Sequence, residues 1–292
     1  MKNQVYEWVT ERIVEALNKG NIPWRQPWFG SQLAPRNLVS GKPYRGINAL
    51  LLSCLTYEAP YFLTYKQATE RGGKVKKGEK GHMVVFYRLW EIPGKVDDKG
   101  RPQRIPLLRY YKVFNVTQCE GIDYPKPEPR TETINPIDHC ETVWNSWADR
   151  PAIETGNRAC YNLAADKITM PSMQLFTTAE EYYSTLYHEG IHATGHESRI
   201  GRDLTGGFGS GSYSREELVA ELGAAMLCGH VGIVGKTIEN SQAYCKSWAS
   251  KLKADAKLIV QASGAAQKAA DYILGETQTN EVEETEDETV AA

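Results

Sequence analysis

No run of this chain is apolar for long enough to cross a membrane, and its first twenty residues, MKNQVYEWVTERIVEALNKG, are interrupted by charge and tryptophan throughout. That segment therefore reads as neither a membrane span nor a secretory leader. No CxxC pair occurs: six cysteines stand apart at positions 54, 119, 140, 160, 228 and 245. Scattered thiols argue against a disulfide framework and for a reducing, cytoplasmic setting. Helix-turn-helix, zinc-finger and RNP signatures are absent, as is any internal repeat. Cations are scarce in the second half. Residues 131–292 hold 12 Lys and Arg against 24 Asp and Glu, whereas residues 1–130 hold 22 against 12. The net charge of −2 thus conceals one half that attracts a polyanion and another that repels it.

What is present suits two globular domains. The 292 residues are 41% hydrophobic and 24% charged, enough core material for two units of ordinary size. Tyr124-Pro125-Lys126-Pro127-Glu128-Pro129-Arg130, followed by Pro136, is a stiff extended run that suits neither helix nor sheet. It marks a linker over 124–136 between a domain at 1–123 and another at 137–276, and the acidic residues 277–292 read as a disordered tail. The expected class is α+β in both parts, with a helical plus β-hairpin domain first and a helix-rich domain with a small sheet second. Val5, Val9, Ile13 and Leu17 predict an amphipathic helix stopped by Gly20. Further helices are expected over Ile47–Tyr57, from Thr64 to Gly72-Gly73, and near Pro136–Trp147. Met83–Ile92 and Ile105–Val116 read as a long hairpin. In the second domain, strands are expected at 158–162 and 167–170, then helices over 178–194, 215–230 and 240–262.

The most specific chemistry lies at His188-Glu189-Gly190-Ile191-His192, an HExxH sequence. On a helix, positions i and i+4 share a face, so two imidazoles can reach one metal ion while Glu189 serves as general base. Leu186, Tyr187, Ile191 and Ala193 supply apolar faces that would bury the rest of that helix. Two histidines hold a metal weakly, so a third ligand is needed. The metzincin pattern would place it at Ser198, and His196 comes two residues early. The gluzincin pattern takes a carboxylate from a later helix, for which Ser214 is a candidate N-cap. Glu217 and Glu221 lie one turn apart there, beside the small residues Ala220, Gly223, Ala224 and Ala225. Glu217 is the expected ligand and Glu221 the carboxylate that holds a histidine N–H, with the reverse assignment and His196 left open. Three protein ligands leave one position for water, the arrangement of a hydrolytic zinc site, although manganese or another divalent ion suits the same donors. Tyr182, Tyr183 and Tyr213 are candidate oxyanion donors. Lys167–Met170 is a candidate edge strand for an extended peptide.

Residues 24–80 interleave aromatic and basic side chains: Trp24, Arg25, Trp28, Arg36, Tyr44, Arg45, Tyr65, Lys66, Lys74, Lys76, Lys77 and Lys80. Aromatic faces stack unpaired bases and cations neutralise phosphates, so single-stranded DNA is the expected partner. Asn37 and Asn48 add amides able to bond phosphate or base edges.

The segments PWRQPW, SGKPYRGINALLL and PYFLTYKQATERGGKVKKGEKGHMVVFY resemble the N-terminal domain of ArdC-type antirestriction proteins. YHEGIHATGHESRIGRD and EELVAELGAAMLC resemble that family's metallopeptidase domain. The resemblance implies a plasmid-encoded cytoplasmic protein that joins a single-stranded-DNA-binding domain to a zincin-like domain and protects incoming conjugative DNA from restriction. It implies metal positions at His188, His192 and Glu217 with Glu189 catalytic. It does not name what the peptidase site cuts; a host restriction or DNA-processing protein is the substrate expected from an antirestriction role.

Overall fold

The computed structural model describes residues 2–19, 22, 34–53, 55, 57–96, 102–126, 136–204, 211–233 and 242–276. Trp24, Arg25 and Trp28, most of the proline-rich linker and the acidic tail lie outside those residues. The first half contains α1 (Lys2–Asn18), β1 (Arg36–Asn37), α2 (Gly46–Ser53), β2 (Tyr61–Leu63), α3 (Tyr65–Glu70), β3 (Lys74–Val75), β4 (His82–Val96), β5 (Pro102–Asn115) and β6 (Cys119–Glu120). The second contains α4 (Pro136–Ser146), β7 (Ala152–Thr155), β8 (Cys160–Asn162), β9 (Lys167–Met170), α5 (Ala179–Ala193), α6 (Gly211–Val231), α7 (Gln242–Ala254) and α8 (Leu258–Leu274).

The four-residue spacing along α1 does what its pattern predicts: Val5, Val9, Ile13 and Leu17 are all buried. The hairpin of β4 and β5 runs in register from His82 opposite Val113 to Val96 opposite Pro102, with an irregularity between Glu91 and Val96. Pro93 cannot donate to a ladder and Gly94 takes φ +74°, so the pairing breaks there. With β2 and β1 this hairpin forms a four-stranded sheet in the order β1-β2-β5-β4, while β3 and β6 pair separately. Thr64 caps α3 through a capping box: its hydroxyl accepts the Gln67 N–H and the Gln67 side chain accepts the Thr64 N–H.

The second half differs from its sequence pattern in four places. β9 is central in the order β7-β9-β8, with Ile168 and Met170 buried, so Lys167–Met170 is not an edge. The edges belong to β7, whose four residues are all exposed and which hydrophobic alternation could not reveal, and to β8. α6 begins at Gly211, which puts Ser214 inside the helix rather than at its N-cap. The helix expected over 240–262 is two helices. Asp255 Oδ1 accepts the Lys257 N–H at 2.9 Å, and this local bond turns the chain between α7 and α8.

One apolar cluster runs through both halves. Val9, Ile13 and Leu17 of α1 and Leu50 and Leu51 of α2 belong to the same buried group as Ile259, Ala262, Ala266 and Ala270 of α8 and Ile191 of α5. Small residues on α8 let its neighbours approach closely. Polar bonds stitch the same seam. Thr10 Oγ1 donates to the Ala256 carbonyl at 2.8 Å, the Gly46 N–H donates to Gln267 Oε1 at 3.0 Å, and Arg45 pairs with the buried carboxylate of Asp271.

Candidate metal centre and basic face

The metal constellation is assembled by two helices that touch through glycine. Thr178 caps α5 by accepting the Glu181 N–H, and Glu180 and Glu181 lie in its first turn, where they complement the helix dipole. Tyr187, Ile191 and Ala193 are fully buried, which fixes the helix's rotation and turns His188 and His192 toward α6. A side chain at Gly223 of α6 would come within 2.7 Å of Ile191, and one at Gly190 within 2.9 Å of the Trp144 ring. Neither helix could sit so close to its neighbour with a larger residue at those positions.

At this contact, Nε2 of His188 and Nε2 of His192 stand 3.2 Å apart. The Glu217 carboxylate lies 3.7 Å from the first and 3.6 Å from the second. Donor atoms around one tetrahedral first-row ion, about 2.1 Å from it, are separated by about 3.4 Å. The three donors thus already have the spacing a divalent cation requires, and among the described residues His188, His192 and Glu217 are the group that could hold one. His196 is not among them: its Nδ1 bonds Ser198 Oγ at 2.7 Å, so the third ligand offered is the later carboxylate and not the metzincin histidine.

Glu189 is buried, and its Oε2 accepts the backbone N–H of Tyr161 on β8 at 2.7 Å. The edge strand therefore holds the carboxylate that follows His188. Together with Ala159, Cys160, Leu163, Asp203 and Leu204, these groups line a cleft of about 450 Å³. Burial pulls the His188 imidazole toward neutrality, but its bond to Glu217 and the charges of Glu189, Glu221 and Glu217 prevail and raise its pKa. Glu221 thus acts on His188 through its charge.

A further carboxylate beside a histidine is Glu216, which the sequence did not single out. Its Oε1 lies 3.3 Å from His192 Nδ1. Burial alone would raise the Glu216 pKa, yet the bonds from His192 and Arg202 lower it. Only the neighbouring Glu217 drew attention to this turn, and helical spacing from the histidines gives no sign that Glu216 faces His192. Tyr183 is also placed differently from expectation: its hydroxyl donates to Glu141 and the residue is buried, so it is not an oxyanion donor. Tyr182 packs edge-on against Phe176 and does not line the cleft, while the side chain of Tyr213 is outside the described residues.

The basic residues divide into two groups. Several serve the fold. Asn48 spans from α2 to the β4 backbone, donating to the Val85 carbonyl and accepting the Val85 N–H, both at 2.7 Å. Asn37 closes its own turn by accepting the N–H groups of Val39 and Ser40. Tyr44 packs edge-on against Phe62 with its hydroxyl buried. Arg45 is drawn to Asp271 and Glu276, and half-buried Arg36 reaches the Ala34 carbonyl. Asn48, Tyr44 and Arg45 thus have partners within the fold, Arg45 with its side chain still 46% exposed. The rest face solvent: Tyr65 is 55% exposed at the start of α3 beside exposed Lys66. In the following turn Lys74 pairs with Glu120 at 3.1 Å and Lys76 donates to the Thr117 carbonyl at 2.8 Å, while Lys77 and Lys80 are exposed.

A helix bearing HExxH, a second helix presenting a carboxylate, and a small sheet whose edge borders the cleft define a zincin-like metallopeptidase domain. Residues 143–265 match the family described as zincin-like metallopeptidase (MPTase-PolyVal), and residues 3–114 match the N-terminal domain of anti-restriction factor ArdC. The chain belongs to the ArdC antirestriction family. It is 37% identical to the antirestriction protein ArdC of plasmid R388. The superposition covers 92% of this chain and 96% of the metal-free crystal structure with a TM-score of 0.71. Against the Mn(II)-bound structure of the same protein the TM-score is 0.72, with 92% and 97% covered. The protein y4eC of Sinorhizobium fredii is 34% identical over 95% of both chains. The Escherichia coli DNA primase TraC is 35% identical over 94% of this chain, which spans only 20% of that longer protein.

Proposed function

We propose that the chain is a bifunctional antirestriction protein that engages single-stranded DNA through its first domain and hydrolyses a protein substrate at the metal cleft, protecting incoming plasmid DNA in the cytoplasm. The observation that carries this reading is the meeting of His188, His192 and Glu217 at metal-binding spacing beside the buried Glu189 in one open cleft. His188, His192 and Glu217 would hold a divalent ion, zinc or manganese. The R388 relative crystallised with Mn(II) supports the latter as readily as the donor set supports the former. A bound divalent cation polarises a carbonyl and lowers the pKa of water. Tyr161 N–H orients the Glu189 carboxylate, which accepts a proton from water in the cleft and returns it to the leaving amine. The cleft lining offers Glu189, Asp203, Glu216 and Glu217 but neither Lys nor Arg among the described residues, so it suits a peptide better than a phosphodiester. Lys77, Lys80, Lys66 and Tyr65, together with Trp24, Arg25 and Trp28, supply the phosphate and base contacts of the first domain.

The test is Glu189→Ala in conjugation into restricting and non-restricting recipients, with single-strand binding measured alongside. Protection is expected to fail while metal content and DNA binding persist. Protection that survives assigns the function to DNA binding and leaves the metal a structural part.

A further inference from the structure

The geometry assigns Arg202 as the positioning residue of the metal centre, fixing the orientation of His192 by clamping Glu216. This inference rests on His188, His192 and Glu217 being the ligands. Arg202 reaches the site from a tight turn after α5. The Ile200 N–H donates to the Thr194 carbonyl at 3.0 Å, the Arg202 N–H to the Gly195 carbonyl at 2.9 Å, and Gly201 takes φ +70° between them. The turn folds the chain back on the end of its own helix, so the guanidinium lies against both helices that supply ligands.

There it makes four bonds. Nη1 donates to Thr194 Oγ1 and Nη2 to the Ile191 carbonyl, each at 2.6 Å. Nε and Nη2 grip the two oxygens of Glu216 at 3.1 and 2.7 Å. The first pair ties the guanidinium to the C-terminal turn of α5, where the Thr194 hydroxyl also donates to the Ile191 carbonyl at 2.6 Å. The second pair is a fork-to-carboxylate contact, which fixes the plane of the carboxylate as well as its position. Only 12% of either side chain is exposed, so the grip is poorly screened by solvent. Glu216 then faces His192 Nδ1. A carboxylate there accepts the Nδ1 proton, leaving Nε2 with a lone pair aimed at His188 and Glu217. Arg202 thereby bridges α5 and α6 and selects the ligating tautomer of His192. Lysine could supply charge at this place but not the fork.

The experiment measures Zn(II) and Mn(II) affinity of the full chain by competition with a chromophoric chelator, with melting temperature recorded in metal-free and loaded protein. Wild type, Arg202→Lys, Glu216→Gln and the double variant are compared. Each single change is expected to weaken affinity by about 10- to 100-fold with one ion still bound, a larger loss than the fall in metal-free stability that breaking a largely buried ion pair brings. The double variant is expected to be no weaker than the weaker single one, because Arg202 acts through Glu216. Three results overturn the role: wild-type affinity in either single variant, losses that multiply in the double variant, or a loss matched by an equal fall in metal-free stability. If Arg202→Lys does not fold, Glu216→Gln still decides, since it keeps the shape of the clamp and removes its charge. Wild type that binds no metal overturns the ligand reading itself, a failure visible before any substitution is made.

Discussion

The metal cleft and the basic face are both rich in charge, but they are built in opposite ways. In the cleft Glu189, His192 and Glu216 are buried or half-buried, and each is held by a named neighbour: Glu189 by Tyr161, His192 by Glu216, Glu216 by Arg202. On the basic face, Lys77, Lys80, Lys66 and Tyr65 are exposed, and the better-anchored members of the same stretch, Asn48, Tyr44 and Arg45, are occupied by the fold. The difference follows from what each would bind. A metal ion demands donors within a few tenths of an ångström of their places, so the site is organised before the ion arrives. A flexible polyanion gains most of its affinity from counterion release, which needs cations near one another but no fixed geometry.

That contrast can be broken first at the ligands. His188→Ala is expected to lower metal affinity by more than about a hundredfold, beyond the loss from disturbing an outer partner; unchanged stoichiometry and affinity by chelator competition would show that the cleft's order serves something else. The next effect is on the contact that brings the ligands together. Gly223→Ala places a methyl within 2.7 Å of buried, β-branched Ile191 and is expected to cost about 1–3 kcal/mol in denaturant unfolding, with weaker metal binding besides. A silent substitution would mean the α5–α6 distance has slack. The smallest effects separate the two kinds of cation. Removing Lys77 and Lys80 is expected to reduce the salt slope of single-strand binding by about 0.7 for each phosphate no longer neutralised, with little change in melting temperature. Arg45→Ala should do the reverse, lowering stability by about 1 kcal/mol and leaving the slope alone. If Arg45→Ala changes the slope instead, its bond to Asp271 yields to DNA.

How legible each feature is in the sequence depends on how local its cause is. HExxH could be read because helical periodicity alone brings His188 and His192 together, and Glu217 because small residues around it signal a close helix contact. Glu216 and Arg202 could not, since their roles depend on how α6 and the turn after α5 are oriented in space. Strand β9 has the composition of a strand wherever it sits, so its central place in the sheet was invisible. The break at Asp255 is a single side-chain bond inside a pattern that otherwise continues as helix. On the basic face, Asn48 and Arg45 carry the polar atoms that a DNA contact would use, and composition gives no sign of their partners in the fold, Val85 and Asp271.

The apolar cluster that joins α1 and α2 to α8 has a consequence for any division of the chain. A recombination event within the proline-rich stretch would separate two polypeptides, each left with a bare hydrophobic flank where the other had been. Both halves are matched together in y4eC, over 95% of its length, and within a fifth of the length of TraC.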